Sequence, residues 1–425
     1  MGVAEFFLGL VGADAPVEFR AYDGTRAGPE GAPAVVVIRS PQALRRLVTA
    51  PNELGLGRAY VSGELDLDGD IFAVLALQDR LLDLRVSPAQ VLEALRILGL
   101  RSLKPLAPPP EEARLHGVRH SKERDAAAIA HHYDVSNDFY RTVLGPSMTY
   151  SCAVWTDTTT SLEEAQANKY ELVATKLGLE PGMRLLDIGC GWGGMIMHAA
   201  EHHGVNAVGV TLSRRQAEYA AKRVADAGLT GRVEVRCVDY RDVDDGPYDA
   251  ISSIGMFEHV GWTQLGQYFD RCAALLAPGG RFLNHGISEP PYVFSNPAAR
   301  AVSELRARFG RGLGHDFFNR YVFPDGELHE VGLVVSAIQR AGLEARHVES
   351  LREHYALTLR QWVQNLEHNW DQAVREAGEA RARVWRLYIA ASAIGFEANQ
   401  IEIHQVLATK STDGRSGMPL RPRFT

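Results

Sequence analysis

No two of the four cysteines in this 425-residue chain are spaced C-x-x-C; Cys152, Cys190, Cys237 and Cys272 stand far apart. That spacing argues against a dithiol redox centre or a cysteine zinc site and predicts reduced thiols rather than a disulfide framework. Long hydrophobic runs are missing too. Nothing approaches the roughly 20 apolar residues that span a bilayer, and the opening MGVAEFFLGLVGADAP lacks the basic and long apolar regions of a signal peptide. The expectation is a soluble, cytoplasmic protein that meets a membrane only from its surface. Excess positive charge is also absent: 45 basic residues face 52 acidic ones, a net charge of −7, which argues against a general nucleic-acid binder. Apolar residues are plentiful, at 46%, in a chain longer than most single domains, so two domains are expected.

The stretch most specific in its chemistry begins at Met183. An apolar run to Ile188 leads into Gly189-Cys-Gly-Trp-Gly-Gly194 and then into Met195–Ala200, which reads as the first turns of a helix. Gly189, Gly191 and Gly193 allow a sharp turn and a close approach to a ligand, and Asp187 ends the strand with a carboxylate. Strands are expected at Ala207–Leu212, Val233–Asp239, Tyr248–Ile254 and Arg281–Ile287. The intervening helices start at a Ser161-x-x-Glu164 capping box and at Ser213, which gives the βαβ series of a doubly wound, Rossmann-like α/β sheet. The dinucleotide fingerprint does not fit, because its third glycine and the acidic residue after the second strand are missing. The D-x-G-x-G-x-G form, with Asp239 closing the next strand, resembles the S-adenosylmethionine site of class I methyltransferases.

Around this lie less informative regions. Residues 1–103 read as a small α/β domain with strands at Val17–Arg20, Ala34–Arg39 and Ala59–Asp66 and helices at Pro41–Leu47, Asp70–Leu84 and Ser87–Leu98. The proline-rich, charged stretch 104–125 reads as a linker, rich in basic residues from Arg96 through Lys104 and Lys122 to Arg124, and 126–425 as the catalytic domain. An aromatic insertion at 288–325 is expected to cover the strand ends; Glu327–Ala341 and Trp362–Phe396 read as helices and Ile401–Ala408 as a late edge strand. His198-x-x-Glu201-His202 matches a zinc-peptidase pattern, but its helix begins in the glycine loop and no third ligand is indicated, so no metal is expected. Glu258-His259 follows the fourth strand at the ligand-binding edge, and His285 inside the fifth needs a polar partner.

The motifs HYDVSNDFY, TYSCAVW, LDIGCGWGG, GVTLSRRQ, GMFEHVG, LNHGIS, YVFPDG and HYALTLRQW occur in the order seen in cyclopropane fatty acid synthases, which the chain resembles over roughly residues 126–408. The N-terminal domain is similar to that of phospholipid-acting members, and the whole looks like the branch that makes 10-methylene fatty acyl phospholipids. The resemblance implies a cofactor site of Tyr150, Ser151, Asp187, Gly189, Gly191, Gly193, Thr211, Leu212, Gln216, Asp239, Tyr240 and Ile254. It further implies a bicarbonate site of Cys152, Glu258, His285, Ile287 and Tyr355, with Glu258, His285, Tyr355 and Cys152 as catalytic residues. One departure matters: Ser392 stands where some members have a cysteine, so no covalent thiol mechanism is expected there. The activity implied is methyl transfer from S-adenosylmethionine to the cis double bond of an oleoyl-type phospholipid chain, through a carbocation that bicarbonate deprotonates. The product expected is the 10-methylene chain, with ring closure to a cyclopropane as the alternative. A small-molecule methyltransferase and a silent lipid-binding protein are the readings furthest from it. The implied partners are an unsaturated phospholipid at the inner membrane face, a second copy in a homodimer, and a downstream reductase that consumes a methylene product. Residues 1–103 would present the enzyme to the membrane.

Overall fold

In the computed structural model of the protein, which describes residues 2–50, 52–77, 92–93, 96–97, 104–113, 121–122, 124–125, 135–291 and 316–424, two compact units share the chain. The first takes Met1–Arg114, Tyr292–Pro324 and Trp370–Ile394; the second takes Leu115–Pro291, Asp325–Asn369 and Gly395–Thr425. The sequence reading drew one boundary in the 104–125 stretch, whereas the units interleave.

In the first unit, Val17–Ala21 (β1), Arg26–Ala27 (β2), Ala34–Ile38 (β3) and Leu65–Gly69 (β4) form a sheet in the order β2-β1-β3-β4. Alternation sets which face is covered: Ala34, Val36 and Ile38 are buried while Val35 and Val37 are half-buried. Phe6, Phe7 and Val11 of the Val3–Val11 helix and Leu44 and Leu47 of the Pro41–Thr49 helix complete the core. The strand expected at Ala59–Asp66 is instead the end of a helix, Glu53–Val61, followed by β4. The Asn52 side chain accepts from the Gly55 N–H at 3.2 Å and starts that helix, a cap that outweighs the β-prone run behind it. Asp70 caps a short helix, Ile71–Leu75; the rest of the expected Asp70–Leu84 helix, most of Ser87–Leu98, and residues 292–315 of the insertion lie outside the described residues.

β4 is an edge strand, and the helix Glu379–Glu397 supplies the donors that its edge lacks. Arg383 donates to the carbonyls of Tyr60 (3.1 Å) and Leu65 (3.3 Å) and to Asp66 (3.1 Å), and Arg386, one turn on, to those of Leu67 (3.3 Å) and Gly69 (3.1 Å). The carbonyls of Leu65, Leu67 and Gly69 recur with the period of the strand and belong to the same open edge.

In the second unit, seven strands follow: Arg184–Ile188 (β5), Asn206–Thr211 (β6), Val233–Cys237 (β7), Tyr248–Ile254 (β8), Leu276–Ser288 (β9), Glu344–Ser350 (β10) and Glu402–Thr409 (β11). They form one sheet in the order β10-β11-β9-β8-β5-β6-β7, parallel from β9 to β7 and antiparallel at β11 and β10. Strand order reverses beside β5, and ligands bind at the carboxyl ends of strands at such a point. The helices begin where the sequence placed their caps: Ser161 and Glu164 form a capping box, and Ser213 accepts from the Gln216 N–H. Two expectations fail. The late strand β11 lies inside the sheet, not at its edge, because β10 covers it; β10, Glu-Ala-Arg-His-Val-Glu-Ser, is too polar and exposed to read as a strand. The helix expected over Trp362–Phe396 is three helices, Arg352–His368, Trp370–Ala377 and Glu379–Glu397, broken at Asn369 and at Gly378, whose φ is +80°. No helix among the described residues is long and apolar enough to cross a membrane.

Replacing Arg383 by Met leaves the Leu65 carbonyl without its side-chain donor and removes one of the two arginines paired with Asp66, so the first unit loses about 2–4 kcal/mol of unfolding free energy in urea titrations. A loss below about 0.5 kcal/mol refutes the edge-capping role.

Candidate active site

Backbone conformation builds the loop after β5. Gly189 and Gly191 have φ of +81° and +53°, and the N–H groups of Gly189 and Cys190 donate to the Val210 carbonyl at 2.9 and 3.0 Å, which folds the loop against β6. A Cβ on Gly189 would sit 2.8 Å from that of Met256, while one on Gly191 would meet nothing within 4 Å. A cavity opens there, at the carboxyl ends of the strands. Its wall contains Tyr150, Ser151, Asp187, Gly189, Gly191, Thr211, Leu212, Gln216, Asp239, Tyr240 and Ile254. Gly193, the remaining member of the expected cofactor set, is not in the wall; it precedes the Gly194–His203 helix, and a Cβ on it would come within 3.2 Å of Ala220.

Charge is distributed unevenly around this cavity. Asp187 is 2% exposed and accepts from Ser252 Oγ at 2.6 Å; burial pushes its carboxyl up to about 6. Opposite in sign and equally buried, Lys169 donates to Ser151 Oγ at 3.0 Å and lies over the Tyr170 ring, and burial pulls its ammonium down to about 7. Asp239 is gripped by Arg241 through Nε (2.8 Å) and Nη2 (2.6 Å). Burial raises the Asp239 carboxyl, the Arg241 hydrogen bonds outweigh it, and the net shift is downward. Thr211 donates to Gln216 at 2.8 Å, presenting a hydroxyl and an amide side by side. Two separated carboxylates, a buried cation and a backbone cradle match the donor set of a zwitterionic nucleoside such as S-adenosylmethionine. Lys169 and Arg241 were not among the residues expected from sequence. Lys169 could have been found from its place one helical turn after Gln166, since both lie on the buried face of the Leu162–Leu177 helix.

The second set of expected residues is spread over the segment before the Leu162–Leu177 helix, the turn after β8, β9 and the Arg352–His368 helix, and none of it lines the cofactor cavity. Glu258, 9% exposed, accepts from the Ile287 N–H at 2.7 Å through Oε1, while its Oε2 is buried without a protein partner. Burial lifts its carboxyl to about 7, with the Ile287 hydrogen bond holding it back. His285 is opposite Ile254 in the β8–β9 ladder and wholly buried; Gln405 Nε2 lies 3.0 Å from its Nδ1, and its Nε2 also has no protein partner. Cys152 is buried, and its thiol donates to the Ala153 carbonyl at 3.2 Å and lies 3.7 Å from that of Leu351, one turn before Tyr355. Burial raises the thiol far above its ordinary range, so it is a neutral group and no thiolate nucleophile. Tyr355 packs its ring against Phe396 and Trp362. His198 and His203, not His202, reach a common oxygen of Glu171 at 3.1 and 3.0 Å, so the H-x-x-E-H spacing does not act as a unit.

The sheet order, the glycine loop and the carboxylates near the end of β5 and after β7 define a class I S-adenosylmethionine-dependent methyltransferase. A family model described as mycolic acid cyclopropane synthetase matches residues 120–406. The chain is 47% identical to a probable fatty acid methyltransferase of Mycobacterium tuberculosis, over 96% of this chain and 94% of that one. It is 32% identical to the cyclopropane-fatty-acyl-phospholipid synthase of Escherichia coli, over 90% and 89%. A crystal structure of the mycolic acid cyclopropane synthase CmaA1 with S-adenosylhomocysteine superposes with a TM-score of 0.60 at 35% identity, covering 67% of this chain and 97% of that one. The chain belongs to this family, and it is an S-adenosylmethionine-dependent enzyme of the fatty acyl methyltransferase and cyclopropane synthase type.

Burial of Glu258 has a measurable sign. Its carboxyl titrates near 7 in the fold and near 4.5 unfolded, so between those values the folded state binds more protons and stability falls as pH rises, by about 3 kcal/mol. Glu258→Gln removes this titration, and the variant gains that amount relative to the parent between pH 4.5 and 7, read from urea midpoints. A difference independent of pH overturns the buried-carboxyl assignment.

Proposed function

We propose that the enzyme transfers a methyl group from S-adenosylmethionine to the cis double bond of an unsaturated phospholipid acyl chain, and that the resulting cation loses a proton to a bound bicarbonate. The observation that carries this reading is the pair of buried polar atoms without protein partners, Glu258 Oε2 in the short helix Phe257–His259 after β8 and His285 Nε2 on the adjoining strand β9. A buried polar atom with no partner costs about 1–3 kcal/mol, a cost that a small polar ligand between the two would relieve.

S-adenosylmethionine supplies an electrophilic methyl group and bicarbonate a weak, fixed base. Tyr150, Ser151, Asp187, Gly189 and Gly191 would hold the methionine end of the cofactor, and Thr211, Leu212, Gln216, Asp239, Tyr240 and Ile254 the nucleoside. Gly193 supports that cradle by letting the helix behind it pack closely. Glu258, His285, Tyr355, Ile287 and Cys152 would hold the anion; a carboxyl that burial keeps partly protonated at neutrality, and an imidazole N–H, can both donate to it. The apolar faces of Tyr150 and Phe257 would exclude water, which would otherwise trap the cation as an alcohol, and stabilise positive charge.

For the product we infer the 10-methylene chain. The methyl is delivered to carbon 10, a hydride moves from carbon 10 to carbon 9, and the new methyl gives up the proton to leave an exocyclic double bond. A reductase would then be the consumer of the product. The test is lipid analysis from a host expressing the enzyme: ozonolysis should yield a ketone at carbon 10, whereas an ozone-resistant new ester assigns the cyclopropane. Glu258→Gln should bind S-adenosylmethionine normally in calorimetry but form product at least about a hundredfold more slowly; lost cofactor binding would make Glu258 a cofactor residue instead.

We infer that residues 1–103 and the basic stretch after them bring the enzyme to the inner membrane face as a peripheral protein, and that it works as a homodimer. Of that stretch, Lys122 is paired with Asp242, Arg124 with Asp325 and Arg96 with Glu93, while the Lys104 side chain is exposed. Cosedimentation with liposomes should increase with anionic lipid and decrease with salt. Equal binding to zwitterionic vesicles at all ionic strengths would overturn the electrostatic part of this inference.

A further inference from the structure

His285, Gln405 and Glu349 sit abreast on three neighbouring strands. Gln405 is opposite His285 across the β9–β11 ladder and opposite Glu349 across β10–β11, so the three side chains share one face of the sheet. Lys176, from the last turn of the Leu162–Leu177 helix, meets them there. Its ammonium donates to Gln405 Oε1 at 2.6 Å and pairs with Glu349, and Gln405 Nε2 lies 3.0 Å from His285 Nδ1. Lys176, Gln405 and His285 are each 0% exposed.

Lys176 fixes the direction of each proton in this row. An ammonium has three donors and no acceptor, so the Gln405 atom facing it must be the amide oxygen. Turned the other way, the amide would set its NH2 against the ammonium, a buried donor–donor mismatch that costs a hydrogen bond at the lysine end. With the oxygen committed to Lys176, Gln405 offers His285 only its NH2, and Nδ1 must accept. Burial and the positive charges of Lys169 and Lys176 hold the imidazole pKa well below its ordinary value, so the ring is neutral and has one proton. That proton is therefore on Nε2, the atom without a protein partner.

We propose that Lys176 and Gln405 are positioning residues that lock His285 in the Nε2–H tautomer, making it a donor to the bound anion and removing it as a proton acceptor in the reaction. This rests on the reading of His285 as an anion ligand given above. The base must then be the anion itself, and the imidazole only orients it.

The experiment is nitrogen-15 NMR of histidine-labelled full-length protein, with the His285 signals assigned by their loss in His285→Asn. The parent should show a protonated Nε2 and an unprotonated Nδ1; a protonated Nδ1 in the parent overturns the proposal without recourse to any further variant. Gln405→Glu places an acceptor-only group between Lys176 and the ring. With only an acceptor facing it, Nδ1 should then take over the ring proton from Nε2, and the bicarbonate concentration for half-maximal turnover should rise at least about tenfold with S-adenosylmethionine binding unchanged. An unmoved proton in folded Gln405→Glu also overturns the lock. A moved proton with unaltered bicarbonate dependence overturns the role of His285 as anion donor while leaving the methyl-transfer reading intact. Lys176→Met, which frees the amide to turn, should populate both tautomers.

Discussion

At the carboxyl ends of β5, β8 and β9 the chain takes carboxylates, ammonium groups and an imidazole out of water, and the surrounding structure is arranged around the cost. Asp187, Glu258, Lys169, Lys176 and His285 are all nearly or wholly buried, and ions so placed are tolerated only when paired or neutralised. The pattern of shifts follows: Asp187 rises to about 6, Glu258 rises to about 7 and Lys169 falls to about 7. Groups whose charge is this easily changed are suited to a site that receives a cationic cofactor. Ser252, Ser151, the Ile287 N–H and Gln405 are the neutral partners that keep each group oriented.

The same constraint accounts for the antiparallel strands β10 and β11. They extend the sheet past β9, cover His285 and bring Gln405 and Glu349 into line with it. A sheet that stopped at β9 would leave His285 on an open edge with its Nδ1 in water. In the first unit a related problem of unpaired backbone is met differently, since the edge of β4 is satisfied by two arginines rather than by another strand. That arrangement ties residues 379–394 to residues 60–69 and explains why the unit is assembled from segments far apart in sequence.

Much of this was legible from residue order. The apolar run before Gly189, the capping box at Ser161 and the Ser213 cap are local features, each decided within four or five residues, and each appears in the structure where its spacing puts it. Where local cues competed, the reading failed: the run Ala59–Asp66 is β-prone, but Asn52 seven residues earlier had already started a helix. β10 was illegible for a different reason. Its exposed, charged alternation gives no hydrophobic period, and only the neighbouring β11 makes it a strand.

The sequence by itself determined the cofactor loop and the parallel core of the sheet, because glycine conformation, strand periodicity and helix capping are short-range properties of the chain. Tertiary structure alone decided which buried groups face one another. Lys176 and Gln405 are 229 positions apart, and Glu258 reaches Ile287 across 29; no periodicity connects such pairs. Only the strand register that sets His285, Gln405 and Glu349 in a row, under a lysine from an overlying helix, decides where a single imidazole proton resides.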